Sequence, residues 1–154
     1  MSVPARRTAL VLLVALVFLF FMGCCEVTPS DMTNGGVTKT TINVRINTKV
    51  FAATLEDNAA TEALAKVLED GPVTLGLSDY AGFEKVGPIG RDLPAEDRQV
   101  TTAPGDIMLY QGNQIVLFYG PNTWSYTPLA HVGDLSGWES ALGAGDVVLT
   151  LSLA

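Results

Sequence analysis

The side chains able to do chemistry are few, and they form no familiar reactive pattern. His131 is the only histidine in 154 residues. It sits where a predicted strand meets the loop before the second predicted helix, with no Cys or acid pair beside it. Arg91 lies in a long loop, two residues before Leu93-Pro94. It can donate to a ligand carbonyl or carboxylate, or stand solvated beside Asp92. Cys24 and Cys25 are the only cysteines and are adjacent, so they cannot staple distant segments and form no CxxC pair for redox work or zinc. The acid pairs Glu56-Asp57, Glu69-Asp70 and Glu96-Asp97 fall at element ends, where carboxylates favour caps and solvent. HxxH, HExxH and EF-hand spacings are absent, as are a Gly-rich phosphate loop and a GxSxG turn. Metal, nucleotide and acyl-transfer chemistry have no motif to rest on, and no metal or cofactor is expected.

What remains is aromatic. Phe83, Tyr110, Phe118, Tyr119, Trp124 and Tyr126 lie at predicted strand and loop-edge positions. Such residues either fill a core and its rim or line a shallow groove for an extended or proline-bearing segment. Trp124 and Tyr126 lead the candidates, because loops beside a rigid scaffold commonly carry function. With Phe83, Tyr110, Phe118 and His131 they make up the candidate ligand-binding set. Arg91 is the sole catalytic candidate.

These residues must be positioned by strands. Gly105–Gly120, GDIMLYQGNQIVLFYG, reads as a hairpin: Asp106–Tyr110, a turn at Gln111–Gln114, and Ile115–Tyr119. The second arm is apolar at five successive positions, which predicts a strand buried on both faces. Before it, Ile42, Val44 and Ile46 alternate with Asn43, Arg45 and Asn47. Phe51, Ala53 and Leu55 give the returning strand of an opening hairpin the same period. Asp57 or Asn58 can cap a helix whose apolar side is Ala60, Leu64, Val67 and Leu68, ended by Gly71-Pro72. Val73, Leu75 and Leu77 mark a third strand. The Ser78–Pro104 connection is expected to hold one strand near Phe83–Val86 and loop elsewhere. Gly120–Pro128 reads as a loop bearing Trp124 and Tyr126, followed by a short strand at Leu129–Val132. Ser136 and Glu139 match a capping box for a second helix packed down by Trp138, Ala141 and Leu142. Val147, Leu149, Leu151 and Leu153 alternate in a last strand, expected to pair with the first and close the sheet. The fold predicted is mainly β: a small closed barrel of about eight strands, capped by two short helices.

The N-terminal segment, residues 1–23, has the parts of an export signal: basic Arg6 and Arg7, the apolar run Ala9–Met22, and a small residue at Gly23 before Cys24. Residues 24–39 are polar, with Pro29, Gly35 and Gly36, and read as a tether to a domain at 40–154. That domain is long enough to bury roughly two thirds of its unfolded surface. The formal charge of −7 becomes −9 for a chain beginning at Cys24, since residues 1–23 hold two arginines and no acid. Such a surface repels phosphate backbones, so nucleic-acid binding is not expected.

Phe21-Met22-Gly23-Cys24 resembles the lipobox of bacterial lipoproteins, which implies lipidation at Cys24 and a bacterial membrane-anchored lipoprotein. A secreted form cut elsewhere, or an uncut single N-terminal membrane anchor, are the alternatives. The domain resembles the bacterial cyclophilin-like proteins in several blocks: Leu55-Glu56-Asp57-Asn58, Glu84-Lys85-Val86-Gly87, Pro104–Tyr110 leading to Ile115–Tyr119, Ser125-Tyr126-Thr127 and Ala141–Val147. The resemblance implies the cyclophilin barrel. True cyclophilins isomerise X–Pro bonds, an arginine donating to the peptide nitrogen and so weakening the resonance behind a ~18–20 kcal/mol barrier. Their arginine belongs to a Phe-His-Arg motif, whereas this chain has Phe83 without His-Arg after it. The expectation is therefore a cell-envelope binding module of unassigned ligand, a peptide or a small molecule, lacking prolyl isomerase chemistry. The alternatives are a divergent prolyl isomerase assisting exported proteins, and a non-catalytic accessory protein docking on a larger partner.

Overall fold

Alternation along Thr41–Ile46 makes β1, with Ile42, Val44 and Ile46 all buried. The computed structural model describes residues 39–154; the predicted signal segment, Cys24 and the tether up to residue 38 lie outside the described residues. The chain turns at Asn47, whose φ of 52° is tolerated because a short amide side chain can bond locally. Its Oδ1 accepts from the Val148 amide at 3.1 Å. β2 (Lys49–Leu55) returns with Phe51, Ala53 and Leu55 inward. Asn58, not Asp57, caps α1 (Ala59–Glu69): its Oδ1 accepts from the Thr61 amide at 3.0 Å, and the Asn58 amide donates to Thr61 Oγ1 at 3.2 Å. Ala60, Leu64 and Leu68 seat the helix on the core, with Val67 half-buried.

The remaining elements are β3 (Val73–Tyr80), β4 (Glu84–Pro88), β5 (Arg98–Thr101), β6 (Asp106–Tyr110), β7 (Gln114–Phe118), β8 (Thr123–Val132), α2 (Trp138–Leu142) and β9 (Val147–Leu153). Eight strands close a barrel in the order β2-β1-β9-β3-β4-β7-β6-β8, every pairing antiparallel. Closure removes the unpaired edges that would otherwise invite other chains. The seam is β2 with β8, through Ala53–Val132, Thr54–His131 and Leu55–Ala130. β9 pairs with β1 as expected, and with β3 on its other side, so the β1–β9 pairing is one of the eight that complete the ring.

Three expectations are corrected. Gly120–Pro128 is not all loop: Thr123–Pro128 is the first part of the ten-residue β8, continuous with Leu129–Val132. Pro128 suggested a break, but it sits where the register against β6 slips, Ile107 facing Ala130 and Met108 facing Pro128. Such a bulge accommodates a residue with no amide hydrogen. The Ser78–Pro104 connection holds a second strand, β5, paired outside the barrel with Thr123–Tyr126 of β8. Its residues lack apolar alternation because only Val100 packs inward. Ser136 does not cap α2. Gly137 (φ 82°) precedes the helix without a side-chain cap, and the Ser136 amide donates to Asp134 Oδ1 at 2.9 Å.

The hairpin of β6 and β7 explains the unbroken apolar run. Ile107, Leu109, Ile115 and Leu117 join the barrel core. Met108, Val116 and Phe118 face outward into a second cluster with Tyr126, onto which Phe83, Val86, Val100 and Tyr110 pack. One wall therefore divides two apolar regions. At Gly87 a Cβ would collide with the Gly76 carbonyl, so β4 can approach β3 this closely only with glycine there.

Candidate functional site

The outer cluster is the floor of a cleft. Strand pairing puts Tyr80 of β3, Glu84 of β4 and Phe118 of β7 in one cross-strand row, and directly opposed residues share a face. The next outward residue of β4, Val86, joins the same surface, and so does Tyr110 of β6. Tyr126 of β8 meets Tyr110 edge-on at 5.9 Å and Phe118 at 5.4 Å between ring centres. The resulting cavity has a volume of about 570 Å³. Tyr80, Phe83 and Trp124 stand at its wall, Glu84 and Tyr126 lie deeper, and Gln114 and Asn122 offer side-chain amides. Phe118 is wholly buried and supports the cleft from beneath.

Phe83 is held by its backbone. The amides of Tyr119 and Gly120 both donate to its carbonyl at 3.0 Å. A Cβ at Gly120 would lie 2.8 Å from the Phe83 Cβ, so this close approach also requires glycine. Tyr126 accepts from Asn122 Nδ2 at 3.0 Å and directs its own hydroxyl toward Glu84 Oε2 at 3.5 Å. Glu84 is only 7% exposed. Burial raises its carboxyl above the ordinary range, and the Tyr126 hydroxyl offsets part of that rise. The Tyr126 phenol is itself pushed up to about 12, first by burial and then by the Glu84 carboxylate.

Lys85 points the other way. Its side chain is fully buried, and Nζ donates to Asp79 Oδ1 at 2.6 Å and to the carbonyls of Gly143 and Gly145 at 2.8 Å each. It also lies 5.4 Å from the Tyr119 ring centre. Lys85 and the Tyr119 hydroxyl, which donates to the same carboxylate, hold Asp79 below the usual carboxylate range. All three ammonium donors are engaged within the fold.

The structure brings Phe83, Tyr110, Trp124 and Tyr126 together around the cleft, with Phe118 below. It does not bring Arg91 or His131 there. Arg91 lies in an adjoining recess with Pro88, Gly90, Asp92 and Asn113, and only Gln114 is common to both hollows. His131 follows Tyr126 by five residues along β8, about 17 Å at ~3.3 Å per residue. There it is half exposed, its Nδ1 2.7 Å from Asp106 Oδ1. Glu84 and Tyr80 also line the cleft, and the sequence reading does not single them out. The available signal was the adjacent pair Glu84-Lys85 inside a strand, where period two must send one charge to each face. Among the described residues, no three His, Cys, Asp or Glu side chains gather as a metal site requires.

The family comparison agrees with this architecture. No curated protein matches the chain. The profile of the cyclophilin-like family matches residues 44–152, from within β1 to within β9. Spanning both helices and nearly every stave of the closed barrel, that match shows that the chain belongs to the cyclophilin-like family.

Proposed function

We propose that the protein is a non-catalytic binding module that takes a small ligand or short segment in the outer aromatic cleft. It is carried at the outer face of a bacterial membrane by a lipid on Cys24. The observation that supports this reading best is the convergence of Phe83, Tyr110, Trp124 and Tyr126, from separate parts of the chain, on one cavity of about 570 Å³. Cavities of this size with apolar walls and a few convergent polar groups are where small molecules bind. The fate of Lys85 argues against prolyl isomerase chemistry. In the stretch matching the Phe-His-Arg motif, the only cation has its donors committed to Asp79, Gly143 and Gly145, and none is left for a substrate nitrogen.

The test uses the full-length chain in maltoside micelles. In a protease-coupled proline-peptide assay no rate above buffer is expected; a rate lost in Arg91→Ala would instead establish catalysis. A screen of neutral and charged aromatic and aliphatic fragments, followed by the indole NH resonances, is expected to move the Trp124 signal. The buried Trp138 signal serves as internal reference. A screen in which no fragment, neutral or charged, moves Trp124 would remove the binding-module reading. Mass spectrometry of the mature N-terminus tests the lipid on Cys24.

A further inference from the structure

We infer that the ligand of this cleft is a small organic cation, an alkylated ammonium group held between Glu84 and the surrounding aromatic rings. This deepens the binding-module reading and rests on it. Glu84 is a carboxylate more than nine-tenths buried and aimed into the cavity. Among the described residues the ion pairs are Lys85–Asp79 and His131–Asp106, so Glu84 has no cation of its own. Its polar partner, the Tyr126 hydroxyl, donates over a long 3.5 Å, which repays only part of the loss of water around a charge. A buried carboxylate in this state needs either a proton or a positive partner.

The walls specify what kind of partner. Tyr80, Phe83, Tyr110, Trp124 and Tyr126 present aromatic rings, whose negative faces attract a cation whose charge is spread over methyl or methylene groups. A strongly hydrated inorganic cation gains little from such walls. An anion is repelled by Glu84 and by a chain of net charge −7. Tyr80 from β3, Tyr110 from β6 and Tyr126 from β8 are the titratable groups facing Glu84, with Phe118 beside it on β7. Lys85 and Asp79 lie behind the wall. Entry of the cation keeps Glu84 ionised, so affinity rises with pH as its proton is lost.

Choline and 3,3-dimethylbutan-1-ol have the same shape and differ in charge, which makes them a direct pair of probes. Calorimetry on the full-length chain in maltoside micelles is expected to show choline binding at least tenfold tighter than the neutral alcohol. Glu84→Gln is expected to lose at least tenfold in choline affinity, with circular dichroism and the Trp138 indole signal unchanged. Comparing the two probes on the unaltered chain needs no variant and stands even if Glu84→Gln folds poorly. Equal binding of the alcohol, or undiminished choline binding by a folded Glu84→Gln, overturns the cation and leaves the binding-module reading intact. Failure of choline to bind while neutral fragments still shift Trp124 does the same. Failure of every probe overturns both.

Discussion

Glu84 and Lys85 are consecutive in the chain, yet one faces the outer aromatic cleft and the other seals the end of the barrel beneath α2. A single strand wall thus separates a carboxylate that has no ionic partner among the described residues from an ammonium whose three donors are satisfied. The arrangement puts the two charges in different surroundings, one lining the cleft and one bonded within the fold.

Lys85→Met tests the structural half. It removes three hydrogen bonds of a buried ammonium and leaves two glycine carbonyls without their donor. Hydrogen bonds involving a charge contribute ~1.5–3 kcal/mol each and are not additive, so a loss of about 3 kcal/mol is expected in urea denaturation. A variant as stable as the original chain would show that the ammonium is dispensable there.

The stability of Glu84 should depend on pH in a direction opposite to most acids. Its folded pKa lies above the ordinary value of 4.5 because burial penalises the charge. Between those two values the folded state holds the proton more often than the unfolded chain does. Stability from this group is therefore full below the unfolded pKa and is lost as pH rises through the folded one. Relative to Glu84→Gln, the unaltered chain should weaken as pH rises from below 4.5 through the raised folded value, measured by denaturation at each pH. Parallel profiles for the two proteins would contradict a raised pKa.

Asn58→Ala should cost more than an isolated cap. Removing an N-cap side chain typically costs ~1 kcal/mol, and Asn58 Nδ2 also donates to the Pro128 carbonyl at 2.8 Å, tying α1 to the bulged part of β8. Thermal unfolding is expected to show a loss of ~1–2 kcal/mol. A loss no greater than the ~1 kcal/mol of an isolated cap would mean that the tie to β8 adds nothing.

Arg91→Ala and His131→Ala should leave binding in the cleft unchanged within twofold, since neither residue lines it. Gly120→Ala should weaken it at least fivefold by pushing Phe83 out of place. Calorimetry with whichever probe binds separates the three variants. A strong effect of His131→Ala would show that the cleft is not the site.

Part of the cleft's lining was visible before its geometry was known. Phe83, Tyr110, Trp124 and Tyr126 are large aromatics beside turns, and the sequence marks them without locating the cavity they enclose. Glu84 was hidden because an acid within a strand reads as solvent-facing unless the partner strands are known. Here the opposed residue is Phe118, which is wholly buried. Arg91 and His131 drew notice as rare reactive types, a property that says nothing about which face of the barrel they occupy.

By itself the sequence determined the local elements: the alternation of β1, β2 and β9, the start of α1 to within one residue, the doubly buried arm of β7 and, through its resemblances, the family. These follow from the order of neighbouring residues, because side-chain period and capping act within a few positions. Only the tertiary structure decided the β2–β8 seam, the outer strand β5, the bulge that carries Pro128 through β8, and the side on which Glu84 lies. Each depends on the register between segments far apart in the chain, and a shift of one residue would exchange the two faces of a strand.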